Sequence, residues 1–201
     1  MCKEYLIDYL KEKDSTREEM IKLAREITRD CAMLIREIHK TNEPRNIEEK
    51  LKNIAESIKK LNLLCKYPEF VSYLSTPQQE FIEAYSLYKI KYHNTIPKFS
   101  EFDFIKEENY ILGLADVIGE LRRELLEAMK EDNVEEVEKY FKFMEDIYDF
   151  LMSFDYYYVV DNLRRKQDIA RGILERTHGD IVYFLENLKL RKKIEEIKVK
   201  F

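Results

Sequence analysis

Residues 110–121, YILGLADVIGEL, decide how the rest of the chain is arranged. On a helical wheel their apolar side chains leave no broad solvent stripe, and a helix hydrophobic on nearly every side belongs inside a bundle. Asp116 and Glu120 are the only charges in the stretch. Four residues apart, they leave one face of the helix, one turn above the other. A buried carboxylate must be protonated, paired or metal-bound, and residues 110–121 hold no Lys, Arg or His to pair with it locally. Its partner must come from elsewhere in the fold.

Working outward, 201 residues suit one domain spanning 1–201 with a core of its own. Four Gly, four Pro and 37% charged residues, with no Ser/Gly-rich linker, describe helices with solvated outer faces. The stretch MCKEYLIDYLKEKD mixes acidic with apolar residues and has no long hydrophobic run, so neither a signal peptide nor a membrane span is expected, and the expected location is the cytoplasm. Cys2, Cys31 and Cys65 are too scattered for a disulfide framework or a zinc site and read as reduced thiols. A net charge of −5 argues against a generally basic nucleic-acid binder, so contact with phosphates must come from a local patch.

The periodicity predicts helix from about Lys3 to Lys40, with Met20, Leu23, Ala24, Ile27, Cys31, Leu34, Ile35 and Ile38 on its core face. Thr16 and Glu19 fit a capping box that would start a second helix after Asp14, and an uninterrupted helix fits equally well. On the other side Lys22, Arg25, Arg29, Arg36 and Lys40 form a basic stripe interleaved with Glu18, Glu26, Asp30 and Glu37. It reads as an ordinary solvated face or as a phosphate contact. Asn46 and Glu49 start a second helix with the heptad-like seam Ile47, Leu51, Ile54, Ile58, Leu61 and Cys65, whose partner is the first helix.

Thr76 as N-cap and Pro77 at N1 open a third helix to about His93, packing through Phe81, Ala84, Tyr85, Tyr88 and Tyr92. Glu80 and Glu83 lie on another side, beside Leu87 and Ile90. Residues 94–109, with three Phe in KFSEFDFIK, read as an irregular connection whose rings pack under the loop or on another subunit. Helices follow to Lys130, over 134–151 and from about Leu163, where Gly172 and Gly179 are potential kinks. FDYYYVV (154–160) is strand-like in composition but isolated among helices, and reads as a turn, buried or at an interface. The fold expected is all-α, an antiparallel bundle of six or seven helices.

Glu80 and Glu83 can meet Asp116 and Glu120 if their two helices pack antiparallel. Four acids in one pocket repel each other, and a hard divalent cation, Mg²⁺ or Mn²⁺, neutralises them while keeping waters that can be activated. Acid pairs at these intervals are also common on solvated helices. A di-iron bundle would need two Glu-x-x-His pairs, and the chain has one, Glu175 with His178; His39 and His93 have no Glu three residues before them.

On these residues the chain resembles the translin family, and within it the catalytic branch, translin-associated factor X. GLADVIGELRRE (113–124) resembles that branch's Gly-x-Ala-Asp-x-x-Gly-Glu-Leu motif, and QQEFIEA (78–84) its Gln-Glu-x-x-Glu-Ala motif. IKLAREITRDCAMLIREIHK (21–40) and FMEDIYDFL (143–151) resemble its helices, so the likeness covers most of the chain. VSYLSTPQQ (71–79) departs from the His/Arg-rich nucleic-acid segment of translin itself, being nearly uncharged. The resemblance implies a translin-like helical domain, a closed, octamer-like homo-oligomer and a Mg²⁺-dependent endoribonuclease acting on single-stranded RNA. Glu80, Glu83 and Asp116 become the catalytic acids, with Glu120 as a fourth metal-side carboxylate. Arg25, Arg29, Arg122 and Arg123 could position the RNA backbone. The rival, suited to translin itself, is a non-catalytic oligomer that binds single-stranded RNA or DNA; a third reading is a structural bundle whose acids face solvent.

Overall fold

The apolar spacing of the first forty residues folds as one helix, α1 (Lys3–Lys40), in the computed structural model, which describes residues 3–41 and 43–198. Cys2 lies outside the described residues. Thr16 starts no new helix: its hydroxyl donates to the Glu12 carbonyl one turn back (2.9 Å), so α1 runs straight through Asp14. Met20, Ile27, Cys31, Leu34 and Ile38 are buried, and the five cations of the basic stripe are exposed.

Helix α2 (Arg45–Leu64) begins one residue before Asn46, with the Pro44 carbonyl accepting from the Ile47 and Glu48 N–H groups and no side-chain cap. It buries Ile47, Leu51, Ile54, Ile58 and Leu61 as the heptad pattern requires. Cys65, expected to close that seam, falls past the helix end and is half-buried. Glu37 pairs with Lys50 (2.5 Å) and Glu19 with Lys60 (3.6 Å), so α1 and α2 run antiparallel. These exposed pairs report register and add little stability.

A 3₁₀ turn, Pro68–Leu74, leads directly into α3 (Ser75–His93), so Leu74 rather than Thr76 holds the cap position. Pro77 still sits in the first turn, where its missing N–H costs nothing. Arg17 donates to the Tyr73 hydroxyl near one end (3.1 Å) and Lys91 to the Ile38 carbonyl near the other (2.7 Å), so α3 runs parallel to α1. Its burial is wider than the predicted stripe, taking in Ile82, Leu87 and Ile90 as well as Phe81, Ala84 and Tyr88. The cause is that α1 and α2 both pack on it while residues 94–106 fold back over it. Phe102 lies against Tyr85 (ring centroids 5.1 Å) and Phe104 against Phe81 (5.6 Å), so these phenylalanines pack under the loop. Asn94, at φ 52°, makes the left-handed exit from α3 that lets the loop reverse.

Gln78, 1% exposed, ties this layer together. Its amide donates to Asn62 Oδ1 (3.0 Å) and the Phe104 carbonyl (3.2 Å), and its oxygen accepts from the Lys106 N–H (3.0 Å) and Asn109 Nδ2 (2.7 Å). A buried amide so fully satisfied fixes rotation of α3 rather than merely filling space. At Gly113 a Cβ would fall 2.7 Å from the Gln79 carbonyl oxygen and 2.7 Å from Ile82 Cβ, so the α3 backbone approaches where only glycine fits.

The chain divides into two compact units, Met1–Leu114 and Ala115–Phe201. Helix α4 (Glu107–Lys130) begins in the first and ends in the second, which also holds α5 (Val134–Met152) and α6 (Leu163–Lys198). Asn133 caps α5 by accepting the Glu136 N–H (3.2 Å). Gln167 donates to the Leu151 carbonyl (2.7 Å) and the His178 ring meets Phe141 (5.8 Å), making α5 and α6 antiparallel. Helix α6 is helical through Gly172 and Gly179, where kinks were expected. FDYYYVV is a turn as predicted, yet its body is not buried: Tyr158 stands fully in solvent and Tyr156, Tyr157 and Val159 are exposed, with Phe154 half-buried and Val160 buried. The described residues thus form six α-helices and no strand, and no helix among them is long and apolar enough to cross a membrane.

Candidate functional site

Glu80 and Glu83 project from α3 in the first unit, and both are half-buried. Leu87 and Ile90, the apolar neighbours foreseen for them, are completely buried. Their field reaches α1. Burial first, then the charges of Glu80, Asp30 and Glu83, push the Cys31 thiol well above its ordinary range. Cys31 is therefore a protonated, unreactive thiol beside the acid pair.

In the second unit Asp116 and Glu120 are half-buried on α4, and Glu124, at 8% exposed, continues the same ridge one turn further. Glu124 was missed, although the four-residue spacing repeats plainly in ADVIGELRRE. The partner that residues 110–121 lack arrives from α6: Lys166 Nζ is hydrogen-bonded to Asp116 Oδ2, with the lysine side chain 18% exposed and the aspartate 40%. No sequence signal connects two residues fifty positions apart. The same face of α6 takes Arg122, whose guanidinium donates to Thr177 Oγ1 (2.7 Å) and Asp180 Oδ2 (2.7 Å), so Arg122 is occupied within the unit while Arg123 is exposed.

His93 Nε2 shares a hydrogen bond with the Tyr88 hydroxyl (3.0 Å), and His178 with Glu175 lines a groove of ≈ 680 Å³ between α5 and α6. Among the described residues of either unit, no three His, Cys, Asp or Glu side chains form a metal-holding group. Each acid pair thus offers two carboxylates. That donor set suits Mg²⁺, which binds through one or two carboxylates and keeps its waters. It does not suit a soft or nitrogen-preferring metal. Asp116 already holds a cation, the Lys166 ammonium, which shows that the ridge attracts positive charge.

With this geometry in hand, comparison with known proteins gives a consistent answer. Residues 15–192 match the model of the translin family. An uncharacterized protein of Methanocaldococcus jannaschii is 71% identical over 195 residues, covering 97% of this chain and 88% of that protein. Among solved structures, that of AfC3PO in complex with duplex RNA superposes with a TM-score of 0.80 at 29% identity, covering 93% of this chain and 98% of the other. Apo-NeC3PO, at 22% identity, shares the fold with a TM-score of 0.82 over 90% of this chain and 96% of its own.

Proposed function

The chain belongs to the translin family, and from that premise we propose that it is a Mg²⁺-dependent endoribonuclease of the family's catalytic branch, cutting single-stranded RNA by phosphodiester hydrolysis. Glu80, Glu83, Asp116 and Glu120 hold the cation, with Mn²⁺ as an alternative to Mg²⁺. When bound, the cation supplies a polarised phosphate oxygen and a water of lowered pKa. The protein's own part is to hold each acid pair half out of water. RNA as the ligand class is supported by the AfC3PO complex, and a closed homo-oligomer by the family.

The observation that carries this reading is that all four acids are half-buried. Acids with no role would sit on solvated faces at no cost. Asp116→Asn removes a charge and keeps the shape, so cleavage of labelled single-stranded RNA in Mg²⁺ should fall on the order of 10³-fold with helicity and subunit number unchanged. Wild-type cleavage by that variant sinks the assignment. The competing reading, a non-catalytic oligomer that binds single-stranded RNA or DNA, is favoured by the Lys166 ammonium already bound to Asp116. It predicts salt-sensitive binding and no difference between Mg²⁺ and EDTA.

A further inference from the structure

Arg25 and Arg29, two members of the basic stripe on α1, line a groove of ≈ 550 Å³ that is walled on its other side by the 3₁₀ turn and the first turn of α3. Among the described residues Arg25 has no carboxylate partner, and Arg29 has only its neighbour Asp30 at 3.9 Å. One turn apart on one face, the two guanidinium groups repel each other, and a shared anionic ligand would relieve that repulsion. The hydroxyls of Thr28, Ser72 and Thr76 also face the groove, with no hydrogen-bond partner among the described residues. The remaining wall is Tyr73 with the apolar Ile21, Ala24, Ala32 and Pro77. Tyr73 is held by Arg17 Nε on its hydroxyl (3.1 Å) and by the Phe70 ring (5.8 Å), so its ring is set in place rather than free to swing.

Two cations, three idle hydroxyls and a fixed ring make up a nucleotide-sized recognition set: forked donors for phosphate oxygens, hydroxyls for sugar and phosphate, and a stacking face for a base. We propose that this groove seats the backbone of single-stranded RNA, with Arg25 and Arg29 on phosphates and Tyr73 against a base. The proposal rests on the reading of RNA as ligand and adds where the strand lies. The groove leads toward the first acid pair. Thr76 stands four residues before Glu80 on α3, and Thr28 three before Cys31, the α1 thiol that feels the charge of Glu80. One helical turn, about 5.4 Å, therefore separates the groove from the acids, and a strand held there passes its next phosphodiester beside them.

The test is binding of a fluorescent single-stranded RNA to the full chain in EDTA, where no cleavage intervenes, across a series of salt concentrations. Arg25→Ala with Arg29→Ala should weaken binding at least tenfold at low salt and reduce the slope of log affinity against log salt by about 1.4, two phosphate contacts at about 0.7 each. Arg36→Ala with Lys40→Ala, on the same stripe but outside the groove lining, should keep the wild-type slope. Tyr73→Ala should weaken binding about tenfold without changing the slope, and Tyr73→Phe should restore it. An equal slope loss in both double variants, or an unchanged slope in the first, overturns the groove while leaving the nuclease reading intact. Polyglutamate competing as well as unlabelled RNA overturns the choice of RNA. A wild-type chain that binds no RNA at all overturns this proposal together with the reading beneath it.

Discussion

The acid pairs on α3 and α4 look alike in sequence but occupy different surroundings. Glu80 and Glu83 press their field onto a buried thiol on α1, whereas Asp116 is clamped by an ammonium delivered from α6. A cation arriving at Asp116 must therefore displace or share a charge the protein already supplies. The lesson is that two acid pairs on apolar helices need not be equivalent: the local field around each carboxylate sets what an incoming cation meets.

The largest test of that contrast is catalytic. Glu80→Gln with Glu83→Gln should lower RNA cleavage on the order of 10³-fold, as far as Asp116→Asn does; full activity without the α3 pair would leave α4 alone responsible. Next comes the thiol. Cys31 stays protonated in the native state but ionises on unfolding, so the unfolded chain binds fewer protons above the ordinary thiol value of about 8.5. Stability from this group is complete below that value and falls as pH rises, by up to about 1.4 kcal/mol per pH unit. Denaturant midpoints measured between neutral and alkaline pH should show a shallower decline in Cys31→Ala, and an identical decline would mean that the fold does not hold this thiol protonated. The smallest effect is at Lys166. Lys166→Met strips Asp116 of its ammonium and should cost about 1 kcal/mol in EDTA, while Mn²⁺ raises the melting temperature of the variant more than that of the wild type. Equal Mn²⁺ shifts would show that Lys166 does not compete for the site.

Periodicity alone was enough to read the helices, because burying one face imposes the three- and four-residue rhythm visible in Met20 to Ile38 and Ile47 to Leu61. Helix starts were read less well. Asn46 and Thr76 have capping side chains, yet Pro44 and the 3₁₀ turn set the actual entries, since backbone carbonyls there already take up the first N–H groups. The four acids were singled out through their motifs, and their half-burial fits the apolar residues around them. Lys166 was not, for a long-range ion pair leaves no trace in local spacing; nor was the role of Gln78, whose four hydrogen bonds depend on a loop closing over it. Arg25 and Arg29 were already candidates for the RNA backbone, and the fold adds a groove that Arg36 and Lys40 do not line.

The bare tyrosines of the 154–160 turn carry a practical consequence. The protein has no tryptophan, so its ultraviolet emission comes from tyrosine, and three of those emitters stand in water on one short turn. Whatever settles on that turn will change the part of the protein's tyrosine emission that comes from it, and a Tyr158→Phe variant would show how much of the signal belongs there.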